Sequence, residues 1–400
     1  MAISSFGGTS SAASGTSSTY YGGQGTFTLN LPAAAYNVTP YTSLYVDGDE
    51  ISAGTDTKIF GSISNIQSTY QSIDFSSNIE SGNVGSNLKA TATNGSRLVA
   101  GTDGIARLYY SDNDGATWTA GTGVSSSDYS QIESVAWDPT AERFLATTKK
   151  SSDNYWRWLQ SSDGASWSEL SRTGTTSNTN FPTRLFVFDN GYVVATATDQ
   201  LDILEPNSDT VRRYSNGDFT DNGSSHDPVN GKLFMINGGS TTSLFVIDVA
   251  SFSGTLPSSK SPSLGTSVHT IMGSGDTVIA VTSSAQYKLS QDGGSTWGSL
   301  TSIPGISNSI NSISYYANGQ FIIYGYNGSG AYVGAVSLDG LTWSNFSQIE
   351  YTGVRQYNYY NGTLYITWDS SRNYFNKLSA PLATLKAKIE KLGDLVAPDA

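Results

Sequence analysis

The chain of 400 residues contains no cysteine, so no disulfide bond stabilises it. It contains two histidines, His226 and His269, which fall in different repeat units and have no cysteine nearby. This scarcity argues against a histidine-based metal centre and against a Ser-His-Asp site. No run of about 18 apolar residues occurs, so no transmembrane helix is predicted.

Basic residues are also few, with 21 Lys and Arg against 33 Asp and Glu and a net charge of −12. A protein of this charge is not expected to bind nucleic acid through its phosphates or to dock on an anionic membrane. The N-terminus, Met1 to Gly8, has neither a basic segment nor an apolar segment. Export through a signal peptide is therefore not expected. We expect the protein to be made in a cytoplasm.

What the sequence does contain is a short turn motif in four copies, each ending in tryptophan. In each copy a Ser is followed by Asp or Asn, Gly and Trp, in one case as Ser-Gln-Asp-Gly-Gly-Ser-Thr-Trp. Asp accepts hydrogen bonds from backbone N–H groups, Gly permits a positive φ, and Trp packs at the start of the returning strand. The sixteen motif residues are Ser111, Asn113, Gly115, Trp118; Ser161, Asp163, Gly164, Trp167; Ser290, Asp292, Gly294, Trp297; and Ser337, Asp339, Gly340, Trp343.

This motif resembles the Asp-box, or BNR, repeat of β-propellers such as sialidases, sortilin-type receptors and many phage proteins. The copy that ends at Trp297 matches at every defined position, whereas the copy that ends at Trp118 has Asn in place of Asp. The resemblance implies a propeller fold, in which the box is a structural turn away from the active centre. It does not imply an activity.

A second marker gives the period of the repeat. Tight turns recur from Asn94-Gly95 to Asn361-Gly362 in six intervals of about 44 residues, the length of a four-stranded propeller blade. A β-forming apolar run follows each of the seven turns, as expected for strands buried on both faces. We therefore predict an all-β fold with a seven-bladed β-propeller over residues 66–379, six blades being the alternative. The last unit lacks a strand, which residues 69–75 are predicted to supply.

The two ends of the chain differ from the repeats. Residues 1–24 form a Ser/Gly-rich tract that cannot build a core, and we interpret it as an anchor that lies on a partner. Residues 25–65 read as a small β segment. Residues 380–400 predict an amphipathic helix, either packed on the propeller or mediating oligomerisation, because apolar residues recur at heptad spacing. These residues are Leu382, Leu385, Ile389, Leu392 and Val396.

No catalytic residue, cofactor or metal site is predicted. Sialidases need an arginine triad, a Tyr/Glu pair, an acid/base Asp and a Phe-Arg-Ile-Pro signature, which Phe181-Pro182-Thr183-Arg184 does not match. Asp112 to Asp114 superficially resemble a calcium loop but lack its downstream Glu. The abundant acidic residues leave a glycosidase that uses two carboxylates as an alternative.

Aromatic clusters suggest sugar binding, with Trp156, Trp158 and Tyr359 as candidate glycan contacts. The favoured alternative is that these side chains pack between blades.

Taken together, the Ser/Gly-rich leader, the Tyr-rich β body, the acidic charge and the terminal heptads resemble a virion structural protein of a tailed bacteriophage. We expect a fibre, knob or capsid decoration protein that is anchored to other virion proteins by its N-terminus. Such a protein would be a homo-oligomer in the virion, with host surface glycans as candidate ligands for host attachment. Two alternatives are a carbohydrate-binding or glycoside-hydrolysing Asp-box propeller, and a scaffold of the photosystem-assembly type, which the leader disfavours.

Overall fold

The computed structural model describes residues 87–346, except for residues 154, 175–183, 199, 216–218, 238–241, 253–263, 308–314, 318–319, 330–331 and 338. It also describes isolated strands on either side of that range. The chain divides into two compact units, one made of residues 1–67 with 381–400 and the other of residues 68–380.

All regular structure among the described residues is β-strand, and no helix occurs there. The all-β class is therefore confirmed. The N-terminal strands are β1 (Thr26–Asn30), β2 (Ser43–Val46), β3 (Asp49–Ser52), β4 (Gly61–Ile63) and β5 (Thr69–Asp74). They are followed by β6 (Leu88–Thr93), β7 (Leu98–Thr102), β8 (Leu108–Ser111), β9 (Thr119–Ala120), β10 (Tyr129–Asp138), β11 (Arg143–Lys150), β12 (Trp156–Ser161) and β13 (Ser168–Glu169).

The middle of the chain continues with strands of similar length. They are β14 (Ser171–Gly174), β15 (Arg184–Val187), β16 (Val193–Ala197), β17 (Gln200–Leu204), β18 (Thr210–Ser215), β19 (Phe219–Asp227), β20 (Lys232–Asn237) and β21 (Leu244–Asp248). The remaining strands are β22 (Thr270–Ser274), β23 (Thr277–Val281), β24 (Gln286–Ser290), β25 (Thr301–Ser302), β26 (Tyr315–Ala317), β27 (Gln320–Tyr326), β28 (Tyr332–Ser337), β29 (Trp343–Phe346), β30 (Val354–Tyr360), β31 (Thr363–Trp368), β32 (Tyr374–Ser379) and β33 (Thr384–Lys388).

The described strands of the larger unit form seven sheets, numbered here in chain order. Sheets 1 and 2 are β6–β9 and β10–β13, and sheet 3 is β15–β18 with β14 added parallel to β18. Sheet 4 is β19–β21, sheet 5 is β22–β25 and sheet 6 is β26–β29. Sheet 7 contains β30, β31, β32 and β5. Apart from the β14–β18 pair, neighbouring strands in these sheets are antiparallel, as expected for chains joined by tight turns.

The first strands of the sheets lie next to one another in the order β30, β6, β10, β15, β19, β22, β26. Their neighbours β7 and β16 are buried along their whole length, with the sequences LVAGT and VVATA. Such continuous apolar strands need cover on both faces, and adjacent sheets provide it. One core cluster, for example, joins Val99 of sheet 1 to Val135, Phe144 and Leu159 of sheet 2.

The N-terminal strand β5 forms the outer edge of sheet 7. It pairs antiparallel with β32, from Thr69 opposite Ser379 to Asp74 opposite Tyr374. The prediction that residues near the start of the chain complete its last repeat is confirmed for these residues.

The smaller unit contains a three-stranded sheet in the order β1, β33, β4 and a separate hairpin of β2 and β3. The helix predicted for residues 380–400 is wrong at residues 384–388, which form β33 in the middle of that sheet. The physical reason is that Thr384-Leu385-Lys386-Ala387-Lys388 also alternates polar and apolar residues, which suits a strand with a partner on each edge. Residues 1–25 and the rest of the predicted helix lie outside the described residues.

Trp118 packs where sheet 7 meets sheet 1. The indole is completely buried, and its ring centroid lies 6.0 Å from that of Phe375 in an edge-to-face arrangement. Leu98 and Tyr109 of sheet 1 and Tyr365 of sheet 7 belong to the same core cluster. This cluster joins the last repeat to the first.

Replacing Trp118 by Ala should lower the free energy of unfolding by about 3–5 kcal/mol, the usual loss for truncating a large buried aromatic side chain. Urea denaturation followed by far-UV circular dichroism measures this loss. The matched control is Trp297→Ala, since Trp297 ends another copy of the turn motif but is only partly buried. Equal losses in the two variants would contradict the role given to Trp118 in joining the two sheets.

Candidate binding surface

The four motif turns connect the third strand of a sheet to the fourth. In the turn of sheet 5, Asp292 Oδ1 accepts hydrogen bonds from Ser290 Oγ at 2.7 Å and from the backbone N–H groups of Ser295 at 2.9 Å and Thr296 at 2.8 Å. Thr296 Oγ1 donates to Asp292 Oδ2 at 2.5 Å. Gly294 has a φ of 92°, and its N–H donates to Ser290 Oγ at 2.8 Å. These hydrogen bonds satisfy the side-chain oxygens of Ser290, Asp292 and Thr296 within the turn.

The other three turns repeat these bonds with small changes. Asn113 Oδ1 accepts from Thr117 N at 2.9 Å, while its amide Nδ2 donates to Thr117 Oγ1 at 2.8 Å. Asn can therefore occupy the Asp position, because it reverses only the bond to the threonine hydroxyl. Asp163 accepts hydrogen bonds from the hydroxyl of Ser161 and from the backbone N–H groups of Ala165 and Ser166. Asp339 accepts the equivalent bonds from the hydroxyl of Ser337 and from the backbone N–H groups of Leu341 and Thr342.

The turns also pack against the preceding sheet. A Cβ atom added to Gly164 in the turn of sheet 2 would lie 2.8 Å from Val99 Cγ2 of sheet 1. One added to Gly340 in the turn of sheet 6 would lie 2.9 Å from side-chain atoms of Ile279 and Leu289 in sheet 5. Arg97 strengthens the first contact by donating to the carbonyl oxygen of Asp163. The motif residues thus hold neighbouring sheets together.

The tryptophans of the motif are also buried, wholly or in part. Trp118, Trp167 and Trp343 are 0 %, 6 % and 8 % exposed, and Trp297 is partly buried. The three buried rings present no open face to a ligand.

The structure contradicts Trp156 and Trp158 as glycan contacts, because both indole rings are buried. Trp158 Nε1 donates at 3.0 Å to Asp202 Oδ2 of sheet 3, so Trp158 packs between sheets 2 and 3. Alternation along a strand places Trp156 on the same face. The packing alternative therefore explains both residues. The side chain of Tyr359 lies outside the described residues.

A polar cluster lies where β10 begins and β11 ends, at one end of the strands of sheet 2. Glu169 is at its centre: Oε1 accepts hydrogen bonds from Lys150 Nζ and from the hydroxyl of Tyr129, both at 2.6 Å. Arg157 Nε lies 3.5 Å from Glu169 Oε2, and its Nη2 pairs with Asp153. The side chains of Glu169 and Lys150 are each 31 % exposed, so solvent reaches the cluster.

The pKa values in this cluster move away from neutral pH. Burial, together with the bond to Glu169, raises the pKa of Tyr129 well above its usual range, so the phenol stays protonated. Burial alone would raise the pKa of Glu169, but the bonds from Lys150 and Tyr129 outweigh it and lower that pKa. A general acid or base works best with a pKa near the working pH. Tyr129 and Glu169 are therefore a hydrogen-bonded pair, and Lys150 and Arg157 are the ion-pair partners of Glu169.

A second polar cluster lies among the first strands of sheets 1, 2 and 7. Lys89 Nζ contacts Glu133 Oε1 at 2.6 Å and Asp103 Oδ1 at 3.2 Å, and the side chains of Lys89 and Glu133 are 8 % and 3 % exposed. Gln356 Nε2 of sheet 7 donates at 2.7 Å to the carbonyl oxygen of Val135. These bonds tie three inner strands together through buried, mutually paired groups.

The two histidines lie apart from both clusters. His226 packs against Phe186 and Phe188, with ring centroids 5.0 and 5.1 Å away, and its Nε2 contacts the carbonyl oxygen of Val187 at 3.0 Å. Burial lowers the pKa of His226 to about 4 and lowers that of His269 as well. Within the described residues, no three His, Asp, Glu or Cys side chains are placed to hold a metal ion. Nor does that part of the chain contain a helix long and apolar enough to cross a membrane.

Sequence reasoning did not find the Glu169 cluster. Its members come from four strands and the β11–β12 connection, and they form no motif. The sequence did carry one signal for this cluster: Tyr129, Lys150 and Glu169 each stand at the end of a strand. The start of one strand lies beside the end of its antiparallel neighbour, so such residues come close together at one end of the sheet.

Comparison with solved structures shows the fold. No protein-family profile and no curated protein matches the chain. The structure of YCF48 bound to D1 peptide aligns with a TM-score of 0.52 and 14 % identity, over 81 % of this chain and 100 % of that chain. YCF48 from Cyanidioschyzon merolae aligns with a TM-score of 0.52 and 9 % identity, over 77 % and 98 % of the two chains. These neighbours are β-propellers, and the chain has a β-propeller fold.

The Asp292 turn should lose stability in acid. Hydrogen bonds from Thr296 and Ser290 lower the pKa of Asp292 to about 2, against about 4 in an unfolded chain. Its contribution is therefore complete above pH 4 and disappears as the pH falls from 4 to 2. We expect Asp292→Asn, which copies the natural Asn113, to fold well and to lose less stability over this range. Asp292→Ala should be less stable at every pH. Thermal melts of the three proteins between pH 2 and 7 test this, and a similar acid response in wild type and Asp292→Asn would refute it.

His226 should make stability depend on pH in a higher range. Its pKa is about 4 in the folded protein and about 6.5 when unfolded, so protonation favours the unfolded chain as the pH falls from 6.5 to 4. Because His226 as a residue is partly exposed, we expect a loss of about 1–3 kcal/mol over this range. His226→Phe removes the titrating group and should flatten this part of the profile. The measurement is urea denaturation at half-unit pH steps, with Asp248→Asn, an exposed change, as the control.

Proposed function

We propose that this chain is a non-catalytic structural protein of a tailed-bacteriophage virion, with the propeller displayed on head or tail. In this proposal the seven sheets are the blades of a seven-bladed propeller and the four turns are Asp boxes. The N-terminal tract anchors the protein to other virion proteins, and the protein is a homo-oligomer. It is made in the host cytoplasm and needs no cofactor.

The observation that carries the non-catalytic part is the electrostatic state of the polar clusters. The described carboxylates of the two clusters are engaged by cations, as in Lys89–Glu133 and Lys150–Glu169. Tyr129 and Glu169 have pKa values displaced in opposite directions from neutrality. Such groups neither donate nor accept a proton readily at pH 7, whereas they stabilise a rigid display scaffold.

The structural role is supported by where the polar motif residues lie. Asp163, Asp292 and Asp339 form their hydrogen bonds inside their own turns, and the turns pack against neighbouring sheets. This arrangement favours a stable body that presents its loops to partners. A propeller of similar fold is the YCF48 protein seen with a D1 peptide, so the architecture is compatible with non-catalytic binding.

The experiment that tests the virion role compares phage particles carrying wild type, a protein lacking residues 1–24, and a protein lacking residues 389–400. We expect the first deletion to leave a folded propeller that is missing from gradient-purified particles, as read by mass spectrometry. The second deletion is the matched control and should still incorporate, because it spares β33. Incorporation without residues 1–24 would refute the anchor, and absence of the wild-type chain from particles would refute the virion role.

The second candidate function is a carbohydrate-binding or glycoside-hydrolysing propeller. The solvent-reached Glu169 cluster, which combines two carboxylates with Tyr129 and Arg157, is the observation that favours it. Hydrolysis of fluorogenic glycosides by purified protein, lost in Glu169→Gln, would establish this function in place of the non-catalytic one.

A further inference from the structure

Beside the Glu169 cluster, three arginines from different strands converge at the outer edge of sheet 2. Arg157 Nη1 and Arg172 Nη1 both donate to the carbonyl oxygen of Trp156, at 3.1 and 3.0 Å. Two guanidinium groups that share one acceptor lie close together. Like charges at such a distance repel each other unless an anion lies between them.

Arg213 of sheet 3 is the third member. In the parallel pair of β14 and β18, Arg172 lies opposite Val211, and Gly174 lies opposite Arg213. Residues two apart on a strand share a face, so Arg172 and Arg213 are diagonal neighbours on the same face. Val211 on that face is fully buried against sheet 2, which places both arginines at the junction of the two sheets.

Arg213 is anchored on one side only. Its Nε and Nη2 donate to the two carboxylate oxygens of Asp202 at 2.7 and 2.6 Å, and its side chain is 1 % exposed. Its Nη1 is buried and has no hydrogen-bond partner among the described residues. An unsatisfied guanidinium N–H inside a protein is costly, so this nitrogen is a donor at the junction that an acceptor would stabilise.

The charge balance of the group leaves one cation without a carboxylate. Lys150 contacts Glu169, Arg157 contacts Asp153, and Arg213 contacts Asp202. Arg172, by contrast, contacts only the Trp156 carbonyl among the described residues. The segment that follows it, residues 175–183, contains no Asp or Glu that could supply the missing charge. Burial and the nearby Arg213 and Arg157 lower the pKa of Arg172 by more than the carboxylates of Asp202 and Asp153 raise it.

We propose that Arg172, backed by Arg213 and Arg157, is a binding site for a single carboxylate group of a small-molecule ligand. A planar guanidinium fork matches a carboxylate, and one negative charge balances the one cation that lacks a partner. Arg172 is half-buried and therefore reachable, and the ligand relieves the repulsion between it and Arg213. This site involves none of the residues of the four motif turns and is independent of how the protein assembles.

The test is a titration of the full-length protein with glucuronate, acetate, glucose and inorganic phosphate, followed by thermal shift and calorimetry at low salt. We expect glucuronate and acetate to bind and raise the melting temperature, and glucose to have no effect. Tighter binding of glucuronate than of acetate would assign a sugar acid as the source, and equal binding would assign the carboxylate alone. Both results support the site. Phosphate binding as tight as glucuronate, or no binding by either carboxylate, would overturn it.

The decisive variant is Arg172→Gln, which should weaken glucuronate binding at least tenfold. The matched control is Arg212→Gln on the adjacent position of β18, because the exposed Arg212 pairs with Glu205 and points to the other face. Without ligand, Arg172→Gln should melt at the same temperature as wild type or higher, because it removes the repulsion with Arg213. If Arg172→Gln does not fold, Arg172→Lys takes its place, and it should bind more weakly because it lacks the fork. Unchanged binding in a folded Arg172 variant would refute the proposal.

Discussion

Inner strands of the propeller sheets bury both of their faces, and this constraint shapes the rest of the structure. Strands such as β7 and β16 have no polar side to turn toward water. A sheet of this kind needs cover on both faces, and neighbouring sheets provide it. The cluster of Trp118, Tyr365 and Phe375 meets that requirement between sheets 7 and 1.

Polar groups at the junctions fix how the sheets pack. Apolar faces alone tolerate sliding, because the hydrophobic effect has no direction. Directional bonds across junctions remove that freedom: Arg97 reaches Asp163, Arg143 Nη1 reaches Asp209 at 2.7 Å, and Lys377 reaches Asp114. The pair formed by Arg143 of sheet 2 and Asp209 in the β17–β18 turn joins sheet 2 to sheet 3. Sheet 3 lacks the tryptophan motif, so a different turn makes an equivalent bond.

The sequence allowed much of the fold to be predicted, because its signals are local. Turns such as Asn94-Gly95 and runs such as Val193-Val194-Ala195 specify hairpins and buried strands within a few residues. Five residues near the C-terminus were misjudged, since Leu385 fits both the heptad and, with Ala387, an alternating strand. Only the partner strands β1 and β4 decide between these patterns, and they come from the far end of the chain.

The polar sites were much less predictable, for a related reason. Asp292 can be placed in its turn because its partners lie within four residues. Glu169 and Arg172, in contrast, acquire their roles from residues on other strands, and alternation gives the face of a strand but not the neighbour across a junction. The burial of Trp156 and Trp158 was unpredictable for the same reason, because it depends on the neighbouring sheet 3.

The pairing of β5 with β32 has a consequence for how the protein is made. Thr69 and Ser379 are about 300 residues apart, and bringing the ends of so long a loop together costs about 5 kcal/mol of chain entropy. During synthesis β5 leaves the ribosome early and has no partner until almost the whole chain has followed. Until then β5 is an unpaired edge that other chains can capture, and sheet 1 lacks the cover of sheet 7. The pairing of β5 with β32 is therefore a late step, and the newly made chain is most exposed to aggregation just before it.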